Sequence, residues 1–295
     1  MSQGGQQRPK SSITYKGVRF PWQAPLHCLQ AMESFEVRPD DIWLLTYTKS
    51  GTTWIGDIVN KILVNSGLRE KEDPNIDHAP YAEYHLYSKP NFQLLAEAPS
   101  PRVITSHLLP QFLPPQIFVK KPKIISVARN PKDIVTSSAY HYQIIEAQED
   151  YSSLQNIMDA IMSGKIIFGE WHTHVLYWWN KREDDNVLFL KYEDMKTDLE
   201  SSIKKVCEFL GCRLDTQTLK KISEETTIDA TRKRDMKPKD ARLIAYNIDP
   251  AMSPFVRKGV VGDWKNHFTV AQSEEFDKWC AEVLKHRGLT FQYEA

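Results

Sequence analysis

Residues 42–54 read IWLLTYTKSGTTW, and the order of the parts decides the fold. An apolar run from Ile42 to Leu45 leads into Lys49, Ser50, Gly51, Thr52 and Thr53. From Trp54 onward, Ile55, Ile58, Val59, Ile62 and Leu63 recur at helical spacing. Strand, turn and helix in that order make the βα unit of a doubly wound sheet, and the backbone N–H groups that open the helix have no partner inside it. An anion is their natural guest. Lys49 adds a positive charge, Ser50, Thr52 and Thr53 add hydroxyls, and Gly51 lets the main chain come close. The lysine stands first, whereas the common nucleoside triphosphate loop ends on Lys followed by Ser or Thr. The spacing therefore leaves the anion unnamed, and a helix start capped by its own hydroxyl residues is the plain structural alternative.

Outward from this unit, Arg38-Pro39-Asp40-Asp41 is a turn that delivers the first central strand. Arg102–Ser106 reads as the second strand, Lys123–Ala128 as a buried third and Val187–Tyr192 as a fourth. The second ends at His107 and the third at Arg129. Ligands of open α/β sheets bind beyond the carboxyl ends of the strands, so both side chains are expected beside Lys49. Helices are expected over Ala31–Phe35, Trp54–Val64, Pro131 to about Tyr142 with Ser137 on it, Leu154–Met162, Glu170–Arg182, Glu193–Leu210 and Val270–Arg287. Thr14–Trp22 is an aromatic-rich edge segment. Arg69–Pro101, with Tyr81, Tyr84 and Tyr87 between prolines, reads as a covering loop or short helices, and Arg232–Pro254 as a solvated loop. The expected architecture is a single α/β domain over residues 13–295, with a central, mainly parallel sheet flanked by helices and a P-loop-like anion loop, after a flexible tail over residues 1–12.

The 38 basic and 38 acidic side chains cancel, which argues against nucleic-acid and polybasic membrane partners and makes any anion site local. The four cysteines form no CxxC pair, so reduced thiols are expected. The polar N-terminal residues lack the apolar core of a signal peptide and no apolar run is long enough to cross a bilayer, which points to the cytoplasm. No metal cluster stands out. His172 and His174 are two apart on a helix and face different ways, and His141 reads as packing or as a border of an acceptor pocket.

Several stretches resemble the cytosolic sulfotransferases, in matching order from about Lys16 to Phe291. TYTKSGTTW (residues 46–54) resembles that family's 5′-phosphosulfate loop, usually TYPKSGTTW, with Thr48 replacing the proline. ARNPKD (128–133) with Ser137, and FVRKG (255–259) running into GDWK (262–265), resemble the segments that bind the 3′-phosphate of 3′-phosphoadenosine 5′-phosphosulfate (PAPS). The resemblance implies that Arg129, Ser137, Arg257, Lys258 and Gly259 hold that phosphate and that Trp54 stacks on adenine. Tyr192, in LKYEDM (190–195), would lie near the base, as would Thr226 and Ile228, where the family has Thr-Ser-Phe. Ser106-His107 resembles the family's catalytic segment and implies His107 as general base. Lys265, Thr269, Val270 and Glu274 match the short KxxxTVxxxE pattern of family homodimers.

The activity so implied is transfer of a sulfuryl group from PAPS to a small phenol, alcohol or amine, releasing adenosine 3′,5′-bisphosphate (PAP). The moving SO3 carries less negative charge than a phosphoryl group, so Lys49 and backbone donors can neutralise the leaving oxygen without a metal, while Ser137 helps to orient the donor. Thr105 stands where the family commonly has a lysine. That departure keeps open a PAPS- or PAP-binding protein with weak or no catalysis. An ATP-dependent small-molecule kinase, which requires metal, is the other alternative.

Overall fold

Strands β1 (Ile13–Tyr15) and β2 (Val18–Phe20) form a small antiparallel hairpin. The central sheet contains β3 (Ile42–Leu45), β4 (Val103–Ser106), β5 (Lys123–Ala128) and β6 (Val187–Lys191), in the order β4-β3-β5-β6 with every pair parallel. The structure is a computed structural model and describes residues 12–70, 79–86, 88–144, 151–235 and 257–294. Residues 1–11 of the expected tail, residues 71–78 and Tyr87 of the expected covering segment, residues 236–254 of the expected solvated loop and Phe255 and Val256 of the FVRKG stretch lie outside the described residues.

Both faces of the sheet are covered, as a parallel sheet requires. Successive residues of a strand point to opposite faces. Accordingly Trp43, Leu45, Ile104 and Ile124 join one buried cluster with Phe168, Trp171 and Trp178, while Ile42, Leu44, Val103 and Ile125 join another with Ile55, Ile58, Ile203 and Ile222. At the amino end of the sheet, the Arg102 guanidinium donates to both Asp41 carboxylate oxygens, at 2.7 and 2.6 Å. The Ile42 N–H donates to the Arg102 carbonyl at 2.8 Å, which ties β3 to β4 below the site.

From β3 the chain passes to β4 on one side, and β5 then returns to the other side of β3 before leading on to β6. The switch point lies beyond the carboxyl ends of β3 and β5, which brings the turns after these two strands together.

Several elements differ from expectation, among them helices over Gln116–Lys120 and Thr216–Glu225 that were not foreseen. The first helix is Leu26–Ala31, following Pro25, with turns after it rather than a helix over Ala31–Phe35. Tyr192 opens a helix instead of ending β6. The expected Glu193–Leu210 helix is two, Tyr192–Thr197 and Leu199–Leu210, because Asp198 leaves the helical region (φ −141°, ψ 86°) and its carboxylate caps the second by accepting from the Ser201 N–H. Asn91–Glu97 is one of the short helices allowed for in the Arg69–Pro101 segment.

Candidate active site

The turn after β3 is tight: the Ser50 N–H donates to the Tyr47 carbonyl at 3.2 Å, and Lys49 has φ +62°. A positive φ at the third residue of a hydrogen-bonded turn is the type II pattern, which favours proline one position earlier, where this chain has Thr48. Gly51 follows at φ +100°, and a Cβ there would lie 2.9 Å from the Tyr192 ring, so both conformation and space call for glycine. Gly51 gives the Thr52–Asn65 helix no side-chain cap, which leaves the first-turn N–H groups at Thr52, Thr53 and Trp54 without a capping side chain. Ser50 is fully buried, yet its hydroxyl has no hydrogen-bond partner among the described residues. The Thr52 hydroxyl lies 2.6 Å from that of Thr46.

Arg129 joins the loop to the other basic segment. One terminal nitrogen donates to the Lys49 carbonyl at 3.2 Å and the other to the Val260 carbonyl at 3.3 Å, with the guanidinium 4.3 Å from the Tyr192 ring centre. Asp133 holds the same segment down: its carboxylate accepts from the Gly262 and Trp264 N–H groups at 2.9 and 3.1 Å. Arg257 lies 4.2 Å over the Tyr140 ring, and Asp263 pairs with Arg257 at 2.6 Å and with Lys258 at 2.8 Å. Burial would raise the Asp263 carboxyl, but hydrogen bonds from Lys258, Asn266 and Arg257 bring it well below the usual range. Desolvation pushes the half-buried Lys49 ammonium down to about 8, and the like charges of Arg129 and Arg257 act in the same direction. Such crowding of cations is a cost that a bound anion would relieve.

Beside these cations is an apolar wall. The Trp54 indole N–H donates to the Thr226 carbonyl at 2.7 Å, and the ring meets Tyr192 edge-on at 5.3 Å. Gly259 (φ +61°) packs so closely on Ile228 that a Cβ would lie 2.3 Å from that side chain. Ile228, which stands where the resembling family has phenylalanine, is therefore the contact that demands glycine at 259. Ser137 is half-buried on the Pro131–Ile144 helix.

His107 follows β4 and is 6% exposed. Its Nδ1 lies 2.8 Å from the Thr46 carbonyl. A carbonyl can only accept, so Nδ1 carries the proton and Nε2 keeps its lone pair. Desolvation pushes this imidazole down to about 4, helped by Lys49 and opposed by the bond to Thr46, so the ring is neutral near pH 7. Tyr81 and Phe168 flank it at 4.8 and 5.2 Å, and Tyr84 stacks on Tyr81 at 4.7 Å. His141 is pushed well below its usual range, first by burial and then by Lys49 and His107, and its ring lies 5.9 Å from that of Tyr142. His174 is buried edge-on to Tyr47 at 6.0 Å, whereas His172 meets Trp279 at 6.1 Å, on another face of their helix. Among the described residues, no group of three or more His, Cys, Asp or Glu side chains could hold a metal ion.

The family model for the sulfotransferase domain matches residues 39–288. The chain belongs to this family. Mouse sulfotransferase 1 family member D1 is 36% identical over 285 residues, covering 96% of each chain. Human sulfotransferase 1C2 is 37% identical over 263 residues, covering 88% of each. Mouse sulfotransferase SULT7A1, solved in complex with PAP, aligns with a TM-score of 0.80 at 30% identity, covering 93% of this chain and 95% of that one. A retinol dehydratase structure shares the fold at 24% identity, also with a TM-score of 0.80.

Loop residues Lys49–Trp54 of this sulfotransferase thus meet Arg129, Tyr192, Thr226, Ile228 and Arg257–Gly259 at one rim, with His107 beside Lys49. Sequence reasoning missed Glu83, Asp133 and Asp263 as organisers. Asp133 and Asp263 lie inside stretches quoted for the resemblance, and an acid among the basic residues of ARNPKD and GDWK was the available signal. Glu83, inside the irregular segment, had none.

Proposed function

We propose that this rim holds PAPS across the switch point and that the sulfotransferase moves the sulfuryl group to a hydroxyl or amine of a small acceptor, releasing PAP. The observation that carries the reading is the double bridge of Arg129, which links the Lys49 loop to the Arg257–Gly259 segment and so joins two separate anion sites. The orphan Ser50 hydroxyl, the uncapped helix start and the crowded cations fit an anionic guest. Lys49, Ser50, Gly51, Thr52 and Thr53 would cradle the phosphosulfate. Arg129, Ser137, Arg257, Lys258 and Gly259 would hold the 3′-phosphate, and Trp54, Tyr192, Thr226 and Ile228 would face adenine. His107 takes the acceptor proton on Nε2 while the Thr46 carbonyl steadies the resulting imidazolium, and Lys49 stabilises charge on the leaving oxygen. The flanking Tyr81, Tyr84 and Phe168 suit a planar apolar acceptor.

A transfer assay with radiolabelled PAPS and a panel of phenols, alcohols and amines tests this reading. Labelled product without added magnesium is expected. PAP binding without transfer to any acceptor would favour a donor-binding module, the reading that Thr105 keeps open.

A pH dependence follows from Lys49. Its pKa in the folded chain, about 8, lies below its ordinary value, so the contribution to stability is present above about pH 10.5 and is lost as pH falls through 8. At neutral pH its charge is therefore a cost, which bound PAP offsets by raising the pKa. Affinity for PAP is expected to fall as pH rises above about 8, by up to about tenfold per unit, with uptake of a proton on binding. Calorimetry at pH 9 in buffers of different ionisation enthalpy reads that proton. No uptake would remove Lys49 from contact with the anion.

The catalytic unit is read as residues 13–295, working in the cytosol as a homodimer through Lys265, Thr269, Val270 and Glu274. Val270 is 76% exposed beside Thr269, whose side chain caps the Val270–Val283 helix. An apolar side chain so placed suits pairing across a two-fold axis. Val270→Glu is expected to convert a dimer to a monomer in sedimentation, and a wild-type monomer would overturn the proposal.

A further inference from the structure

Glu83 is a buried carboxylate that the reaction above does not use. The segment that carries it runs beside β4: the Thr105 N–H donates to the Pro80 carbonyl at 3.0 Å, and the Ala82 N–H to the Thr105 carbonyl at 2.9 Å. At His107 this backbone pairing stops. There a side chain takes over, and the His107 N–H donates to Glu83 Oε1 at 2.9 Å. Glu83 is fully buried, and its Oε2 has no hydrogen-bond partner among the described residues. Burial pushes this carboxyl up to about 7, against hydrogen bonds from the His107 and Glu83 backbones and the Ser106 side chain.

A carboxyl in such a setting is costly, and an apolar residue would fill the space at less expense. What it supplies is a fixed end for the β4 strand. His107 is held at two points, its main-chain N–H on Glu83 and its ring Nδ1 on the Thr46 carbonyl, and these anchors come from opposite neighbours of β4. Two anchors set both the position of Cα and the direction of Nε2. Tyr81, from the Glu83 segment, packs on the same imidazole at 4.8 Å, so this short stretch supplies a wall and a clamp together.

We propose that Glu83 is a positioning residue for His107, acting by accepting the main-chain N–H so that the imidazole keeps its bond to Thr46 and aims Nε2 at the acceptor. This rests on His107 being the base of the transfer reaction.

The test compares Glu83→Ala and Glu83→Gln in the full chain. Glu83→Ala is expected to lower kcat by about 10²-fold, the scale for a catalytic group misplaced by an ångström, with the acceptor KM and the Kd for PAP within about twofold of wild type. Glu83→Gln keeps an oxygen that can accept the N–H and should bring kcat back to within about fivefold of wild type. A second readout does not depend on turnover. In 15N-histidine-labelled protein, with the His107 signals identified by their loss in His107→Ala, wild type and Glu83→Gln should show the Nδ1–H tautomer and Glu83→Ala a shifted, averaged ring. If Glu83→Gln is as slow as Glu83→Ala, or if the ring signals of Glu83→Ala match wild type, the positioning role is overturned. Wild-type protein that transfers no sulfuryl group would instead sink the reading of the reaction, while the ring signals still decide whether Glu83 holds His107.

Discussion

His107→Ala is expected to lower kcat by between about 10² and 10⁴-fold, the range for loss of a positioned general base, while the Kd for PAP stays within about twofold. The reason is geometric. His107 follows β4, whereas the Lys49 loop and Arg129 follow β3 and β5, so in the proposed reaction the imidazole serves the acceptor and leaves PAP to the other two turns. Its Nδ1 proton is committed to the Thr46 carbonyl, which leaves one nitrogen to accept the proton of the attacking hydroxyl or amine. His107→Gln separates this role from packing: an amide fills similar space between Tyr81 and Phe168 but cannot take a proton near neutral pH. Both variants should therefore be slow and both should bind PAP. Turnover close to wild type in either would remove His107 from the chemistry.

The proposed donor side of the site could be read from the sequence because phosphate binding draws on consecutive backbone donors. Lys49, Ser50, Gly51, Thr52 and Thr53 act as one local turn, and the positions of β3 and β5 follow from buried apolar runs with a polar residue after each. The proposed acceptor side was less legible. Tyr81, His107 and Phe168 are far apart in the chain and become neighbours only when the irregular segment lies along β4 and the residues before Trp171 fold over it. Glu83 belongs to this class, since nothing local to residue 83 distinguishes it from other acids. The division at Asp198 was missed for a related reason: Glu193 and Asp194 look like the start of a helix, and they are one, so the capping acid five residues from Glu193 was read as interior.

The departures become physical statements once placed. Thr105, where the family commonly has lysine, is buried in β4, opposite Leu44 and beside Tyr81, and brings no charge to the rim. Lys49, whose charge adds to the desolvation that depresses the His107 imidazole, is then the cation proposed to meet the leaving oxygen. Its importance to the rate follows.

Lys49→Ala is accordingly expected to lower kcat by about 10²–10³-fold, the scale for removing one donor to a developing oxyanion, with a smaller loss in PAP affinity. Arg129→Ala should reverse the pattern. Arg129 is 7% exposed, spans the loop and the Arg257 segment through two carbonyls, and lies over Tyr192, so its loss separates the two anion sites and should weaken PAP by about tenfold or more. The contrast arises from where charge changes in the proposed reaction: the bridging oxygen assigned to Lys49 would gain negative charge in the transition state, whereas the 3′-phosphate would keep the same charge throughout, so interactions with it are uniform and appear in binding. Measured kcat and PAP Kd for the two variants form a two-by-two comparison. Equal losses confined to binding in both would place Lys49 with Arg129 as an anchor only and leave the leaving oxygen without its cation.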